Sequence, residues 1–201
     1  TQWKNRKNAE DLYNISTDSP YVNPKYVLKV LSDITNGNAI VTTEVGQNQI
    51  WAANHYCTVH PRSFISSGGL GTMGYGLPAA IGAKVGSPDS LVIAIVGDGS
   101  FQMSMQELGT MKQWDIDLKI ILLNNKHLGM VREVQKLRYG KNYFAVTLDG
   151  SPDFVKLADA YGIPAKRITC NTQVKEALNT ALEHKGSYLL EFMIDPEEST
   201  L

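Results

Sequence analysis

The sequence predicts a doubly wound α/β domain, a mostly parallel sheet of about six strands flanked by helices. Three observations carry that prediction. The runs Leu91-Val92-Ile93-Ala94-Ile95-Val96 and Leu118-Lys119-Ile120-Ile121-Leu122-Leu123 are almost continuously apolar and rich in branched side chains, as strands covered on both faces are. The segment between them reads as a crossover helix from about 103 to 114, which completes a βαβ unit. Further along, helical and strand patterns continue to alternate.

Residues 1–22 are polar and charge-balanced and end in Asp18-Ser19-Pro20, so they read as a linker or N-terminal extension, and the domain is placed at 23–201. Its first helix is capped by Asn23 and has Pro24 in its first turn, with Tyr26, Val27, Val30, Leu31 and Ile34 at helical spacing and Gly37 as the stop. A short strand, Ala39-Ile40-Val41-Thr42-Thr43, leads into the loop Glu44-Val45-Gly46-Gln47-Asn48. The glycine-dense stretch Ser67-Gly68-Gly69-Leu70-Gly71-Thr72-Met73-Gly74-Tyr75-Gly76 runs into a helix carrying Leu77, Ala79, Ala80, Ile81 and Ala83. Such a stretch is either a tightly packed loop or a wall against which a ligand lies. After the second apolar run, Lys126-His127-Leu128-Gly129-Met130-Val131 begins a helix or loop. Tyr139, Tyr143 and Phe144 form a mobile segment or flap. A helix over 153–161, with Phe154, Leu157, Ala158 and Tyr161 on one face, is stopped by Gly162-Ile163-Pro164. A strand over 166–169, a helix over 172–184 and an apolar strand over 188–194 complete the pattern.

Composition narrows the function classes. A chain of 201 residues suits one domain with its own core. With 19 basic and 20 acidic residues the net charge is −1, which provides no electrostatic footprint for nucleic acid or a membrane surface. No apolar run reaches the roughly 18 residues that a membrane span requires. Cys57 and Cys170 lack the spacing of a zinc site or a disulfide framework and read as reduced thiols of a cytoplasmic protein. His55, His60 and His184 have no partners at metal-ligand spacing and read as surface or packing residues. Arg62 suits either an acid substrate or a structural salt bridge.

The chemistry concentrates at two strand ends. Gly97-Asp98-Gly99-Ser100 follows the first apolar run, and Asn124-Asn125 follows the second about two dozen residues later. In open α/β sheets ligands collect outside the carboxyl ends of strands, so Asp98 and Asn125 should face one crevice. A carboxylate and a carboxamide are hard oxygen donors suited to magnesium, which keeps waters and takes further ligands from a substrate phosphate. Gly97 and Gly99 would let the backbone approach phosphate oxygens. Asp-Gly by itself is also an ordinary turn; the flanking strands and the second strand end separate the two readings. Neither G-x-G-x-x-G after the first strand nor G-x-x-x-x-G-K-[ST] anywhere is present, which weakens a nucleotide-binding alternative.

G-D-G followed at this distance by N-N resembles the diphosphate-binding motif of thiamine-diphosphate enzymes. From about 23 to 194 the chain is similar, more closely, to the C-terminal domain of the acetolactate synthase (acetohydroxyacid synthase) large-subunit family. That likeness rests on Glu44-Val45-Gly46-Gln47 with Trp51-Ala52-Ala53, on Pro61-Arg62 and Ser67 to Gly74, on Leu77-Pro78-Ala79-Ala80-Ile81-Gly82-Ala83, and on Gly97 to Ser100 with Asn124 to Val131. The resemblance implies the thiamine-diphosphate-binding fold, with magnesium held by Asp98, Asn125 and the backbone carbonyl of His127. It implies that the cofactor lies against Val45, Gly46, Gln47 and Asn48, against Gly71 and Met73, against Asp98, Gly99 and Ser100, and against Asn125, His127, Leu128, Gly129 and Met130. Gln47, Gly99, Ser100 and the amides of 128–130 would bind phosphate, with help from the helix after Ser100, and Met73 would support the bent cofactor.

The activity implied is that of a transferase of branched-chain amino acid biosynthesis, decarboxylating pyruvate and joining it to a second pyruvate or to 2-oxobutyrate. A pyruvate oxidase or decarboxylase type, or a noncatalytic binding module, is the alternative. The activating glutamate is expected on a separate pyrimidine-binding domain of a partner subunit, and FAD on a middle domain, so no catalytic residue is expected in this chain. It is expected to be a fragment, or a subunit that works in a homodimer or larger oligomer, with a regulatory subunit as a further partner. Glu44 matches a position on the diphosphate side rather than the activating one. Where the family usually continues Met-Val with Gln-Trp, this chain has Met130-Val131-Arg132-Glu133-Val134, and Val134 in place of the tryptophan should widen the mouth of the substrate channel.

Overall fold

The computed structural model describes residues 19–200. Most of the expected N-terminal extension, 1–18, lies outside the described residues. Val22, at the end of that stretch, is buried, bridges to Ile194 and donates its N–H to the Met193 carbonyl at 2.8 Å. Helix α1 (Pro24–Thr35) then starts as its sequence requires: Asn23 Oδ1 accepts from the N–H of Lys25 at 2.9 Å and of Tyr26 at 3.2 Å. It ends on Asn36, which takes the left-handed conformation one residue before Gly37. Asn23→Ala is expected to cost about 1 kcal/mol, read as a lowered urea midpoint at constant m-value.

Six strands, β1 (Ile40–Thr43), β2 (Phe64–Ser66), β3 (Val92–Gly97), β4 (Lys119–Asn124), β5 (Ala165–Ile168) and β6 (Tyr188–Met193), form one sheet in the order β2-β1-β3-β4-β6-β5. Every pairing is parallel, with Ile40 opposite Val92, Ile93 opposite Lys119 and Lys119 opposite Tyr188. From β1 the chain crosses outward to β2, and from β3 it crosses the other way to β4. The gap between the ends of β1 and β3 is therefore the topological switch point, where open α/β sheets leave a crevice.

Both faces of the sheet are covered. Ile93, Ile95, Ile121 and Leu123 pack against Leu28 and Leu31 of α1, Trp51 of α2 (Gln47–His55) and Leu178 of α8 (Val174–Glu183). The alternate residues Val92, Ala94, Val96, Ile120 and Leu122 pack against Leu77 of α3 (Gly76–Gly86), Met111 of α5 (Leu108–Gln113) and Phe154 of α7 (Phe154–Ala160). This alternation within an all-apolar run is what a strand buried on two sides means in side-chain terms.

Three elements depart from expectation. The loop after β1 closes at once into helix α2, and β2 is an additional edge strand of three residues. The crossover helix begins earlier than 103 and is broken, with one turn of α4 (Asp98–Phe101), a 3₁₀ turn over Met105–Glu107, and then α5. Phe101, Ser104, Leu108 and Met111 are all buried, so helical spacing survives the change of pitch.

Candidate functional site

The loops at the carboxyl ends of β1, β3 and β4 enclose a cleft of about 110 Å³. Its walls come from three chain segments: Val45 to Asn48 after β1, Gly97 to Ser100 after β3, and Asn125 with His127 to Val131 after β4. Met73 reaches in from the glycine-rich loop, and Trp51 and Leu123 form apolar floor. All the residues expected to face the cofactor line this cleft except Gly71, which lies on an exposed turn outside it. Gly97, Trp51, Leu123 and Val131 line it as well. Gly97 is the first residue of the Gly-Asp-Gly motif and was expected there only for its backbone. Of the others, Leu123 ends the second apolar run, while Trp51 and Val131 belong to stretches that carry the family likeness.

Three helix N-termini point into the cleft. Helices α2, α4 and α6 (Gly129–Arg138) begin after Gly46, Gly97 and Leu128, and none of these N-cap residues makes a side-chain capping bond. At α2 the Gln49 N–H is taken by the Gly46 carbonyl at 3.1 Å, and at α4 the Asp98 and Gly99 amides face the Asp98 carboxylate; the other first-turn N–H groups have no side-chain cap, which makes such ends anion sites. Among the described residues neither lysine nor arginine lines the cleft, so backbone amides carry the positive potential there. The expected contribution of a long helix after Ser100 shrinks, because α4 is a single turn and a macrodipole needs several. The ten residues of α6 supply it instead.

Among the described residues, two buried acceptor atoms in this cleft have no hydrogen-bond partner: Asp98 Oδ2 and Asn48 Oδ1. Asp98 is 2% exposed, and burial pushes its carboxyl up to about 7, an effect that amides of Asn125 and Gly99 oppose only in part. An uncompensated buried carboxylate costs stability unless a cation or donor meets it. Asn125 is also buried; its Nδ2 donates to Gln47 Oε1 at 3.0 Å, and its Oδ1 accepts the His127 N–H at 3.0 Å. One lone pair of Oδ1 remains for a cation. Among the described residues no group of three His, Cys, Asp or Glu side chains could chelate a metal. Hence a hard ion here would depend on a single carboxylate, neutral oxygens and whatever the ligand brings, which suits magnesium with a phosphate.

Several roles shift once partners are known. The Ser100 hydroxyl donates to the Val45 carbonyl at 2.7 Å, tying the β1 and β3 loops together, so only its backbone amide is left for a ligand. A Cβ at Gly97 would meet Asn48 Nδ2 at 2.9 Å and one at Gly99 would meet Leu128 Cδ2 at 2.8 Å. Both contacts are with the ends of side chains, so an added Cβ would displace Asn48 and Leu128 from their positions at the cleft. Glu44 lies outside the lining, fully buried, accepting the Gly74 N–H at 2.9 Å on one oxygen. Burial raises its pKa against the nearby amides of residues 74–77, and it anchors the glycine-rich loop.

Residues 44–192 match the model of the thiamine pyrophosphate enzyme C-terminal TPP-binding domain. The chain belongs to that family. It is 51% identical over 176 residues to a probable acetolactate synthase large subunit of Methanococcus aeolicus, covering 87% of this chain and 29% of that protein. It is likewise 51% identical over 173 residues to the acetolactate synthase isozyme 2 large subunit of Escherichia coli (strain K12), covering 86% of this chain and 32% of the relative. With the chloroplastic acetolactate synthase of Arabidopsis thaliana the identity is 42% over 210 residues, 99% of this chain and 31% of the other. The chain thus spans about a third of the length of the curated relatives it matches.

Proposed function

We propose that this domain anchors thiamine diphosphate through magnesium bound by Asp98, Asn125 Oδ1 and the His127 carbonyl, within an acetolactate synthase acting on pyruvate and a second 2-oxo acid. The observation that carries the reading is the partnerless Asp98 oxygen set among three uncapped helix N-termini. When bound, the cofactor supplies the electron sink that 2-oxo acid decarboxylation needs. This chain's residues bind and orient. Amides at the starts of α2, α4 and α6 receive phosphate oxygens, Asp98 contributes the one formal charge to the metal, and Met73, Trp51 and Leu123 exclude water from the cleft.

Along α6, Val131, Val134 and Leu137 are 49%, 40% and 61% exposed. They recur at one side of the helix and continue from the cleft, which supports apposition of a further domain or subunit. The activating glutamate, FAD and a regulatory subunit belong to that proposed remainder. Unpaired Cys57 and Cys170 support a cytoplasmic location, and no helix among the described residues is long and apolar enough to cross a membrane. The test is product analysis of the protein joined to its remaining domains and given pyruvate. Acetolactate is expected; acetaldehyde or acetyl phosphate would transfer the assignment to a decarboxylase or an oxidase.

A further inference from the structure

We infer that Glu133 is a positioning residue for the metal site, acting through Gln47 to fix which atom Asn125 presents to the cleft. The inference rests on the magnesium reading above. Glu133 lies on α6, one turn beyond the residues that line the cleft. Its carboxylate accepts from Gln47 Nε2 at 3.1 Å, from the Thr200 N–H at 2.9 Å, from Thr200 Oγ1 at 3.0 Å and from Ser199 Oγ. Gln47 Nε2 also donates to the Glu198 carbonyl at 3.0 Å. Both groups facing this end of the Gln47 amide are acceptors only, so the amide must turn its NH₂ toward them and its Oε1 the other way. Oε1 then accepts from Asn125 Nδ2. The Asn125 amide is in turn left with Oδ1 toward the His127 N–H and the metal position. A polarity set by Glu133 and Glu198 is passed through two buried amides to a proposed ligand atom. Glycine at 129 leaves room for it, since a Cβ there would collide with Gln47 Oε1 and come within 2.6 Å of Asn125 Nδ2. Gln47 thereby acts on the cofactor through Asn125 and its own backbone, because its side chain is fully engaged.

The experiment compares wild type, Glu133→Ala, Glu133→Lys, Glu133→Gln, Lys136→Ala and Asp98→Ala in the full chain. Lys136 pairs with Glu197 at 2.9 Å and so holds the same C-terminal segment without touching Gln47. The first readout is solvent exchange of the Asn125 side-chain NH₂ by nitrogen-edited NMR without any ligand. Exchange is expected to speed up by tenfold or more in Glu133→Ala, although the two residues are not in contact, and to stay near wild type in Lys136→Ala. The second readout is Mn²⁺ affinity at saturating thiamine diphosphate, from the free-ion resonance signal. It should weaken roughly tenfold in Glu133→Ala and further in Glu133→Lys, which offers donors where acceptors stood. Glu133→Gln keeps an acceptor oxygen and should stay within about threefold. Unchanged Asn125 exchange in Glu133→Ala, or an equal loss of Mn²⁺ affinity in Lys136→Ala, overturns the positioning role. If Asp98→Ala leaves Mn²⁺ affinity intact, the magnesium reading fails instead, while the exchange data still report on the relay.

Discussion

Asp98→Asn is expected to abolish metal-dependent binding of thiamine diphosphate while making the metal-free chain more stable. Affinity should drop at least roughly 100-fold, about 2.7 kcal/mol, because the only carboxylate of the cleft is replaced by a neutral amide of the same shape. Stability should rise at pH 8 by on the order of 1–3 kcal/mol, because the wild type buries a charge whose Oδ2 has no partner. The sign follows from the raised pKa. Below the ordinary carboxyl pKa of 3.8 the group is protonated in both folded and unfolded chains, and it contributes nothing to the difference. Between 3.8 and about 7 the unfolded chain is ionised and the folded one is not, so metal-free stability falls as pH rises through that window and levels off above it. In the asparagine variant this contribution to the slope should vanish, leaving that of other shifted groups such as Glu44, whose pKa burial also raises. Urea titrations at pH 5 and pH 8 with chelator present decide the matter; a less stable variant would falsify the assignment of Asp98 to ligand binding rather than to the architecture.

Gly76→Ala should produce the largest loss of folding stability, about 3 kcal/mol. A Cβ at Gly76 would sit 2.8 Å from the Glu44 nitrogen, 2.9 Å from Glu44 Cγ and 2.9 Å from the Thr43 carbonyl carbon. Two of those atoms are backbone at the end of β1 and have no rotamer through which to escape. Thr42 Oγ1 also donates to the Gly76 carbonyl at 2.8 Å, so the start of α3 is pinned to the strand it would have to leave. Gly82, in the same helix, is the control, since nothing lies within 4 Å of its added Cβ. Gly82→Ala should stabilise by about 0.5–1 kcal/mol through helix propensity. Opposite shifts of the two urea midpoints are the expected result, and a neutral Gly76→Ala would refute the packing account.

The elements that were legible share one property: their buried side is apolar. The β3 and β4 runs, the α1 face with Val27 and Leu31, and the capped start at Asn23 are read directly from residue type and spacing. Helix α2 escaped because the side it buries carries Gln47 and Asn48 together with Trp51 and Ala52. Polar residues are read as exposed, and here they are buried because they serve the cleft. Strand β2 escaped for want of length, with three half-buried residues at a sheet edge.

The site divides in the same way. Asp98 and Asn125 were found because each ends a strong strand, and parallel strands in register bring their carboxyl ends to one edge of the sheet. Gly71 was placed with them by its motif, and in the fold it is exposed and does not line the cleft. The use of Ser100 to tie down Val45, and of Gln47 to orient Asn125, follows from partners 55 and 78 positions distant.

Sequence by itself determined the sheet class, the two strand-end motifs and the kinship with thiamine-diphosphate enzymes, because these depend on local polarity and short-range spacing. Only the tertiary structure decided that three bare helix ends share one cleft, that Asp98 Oδ2 lacks a partner, and that Glu133 reaches Asn125 through Gln47. Those facts depend on distances between atoms far apart in the chain, and residue types do not specify such distances until the sheet has brought them together.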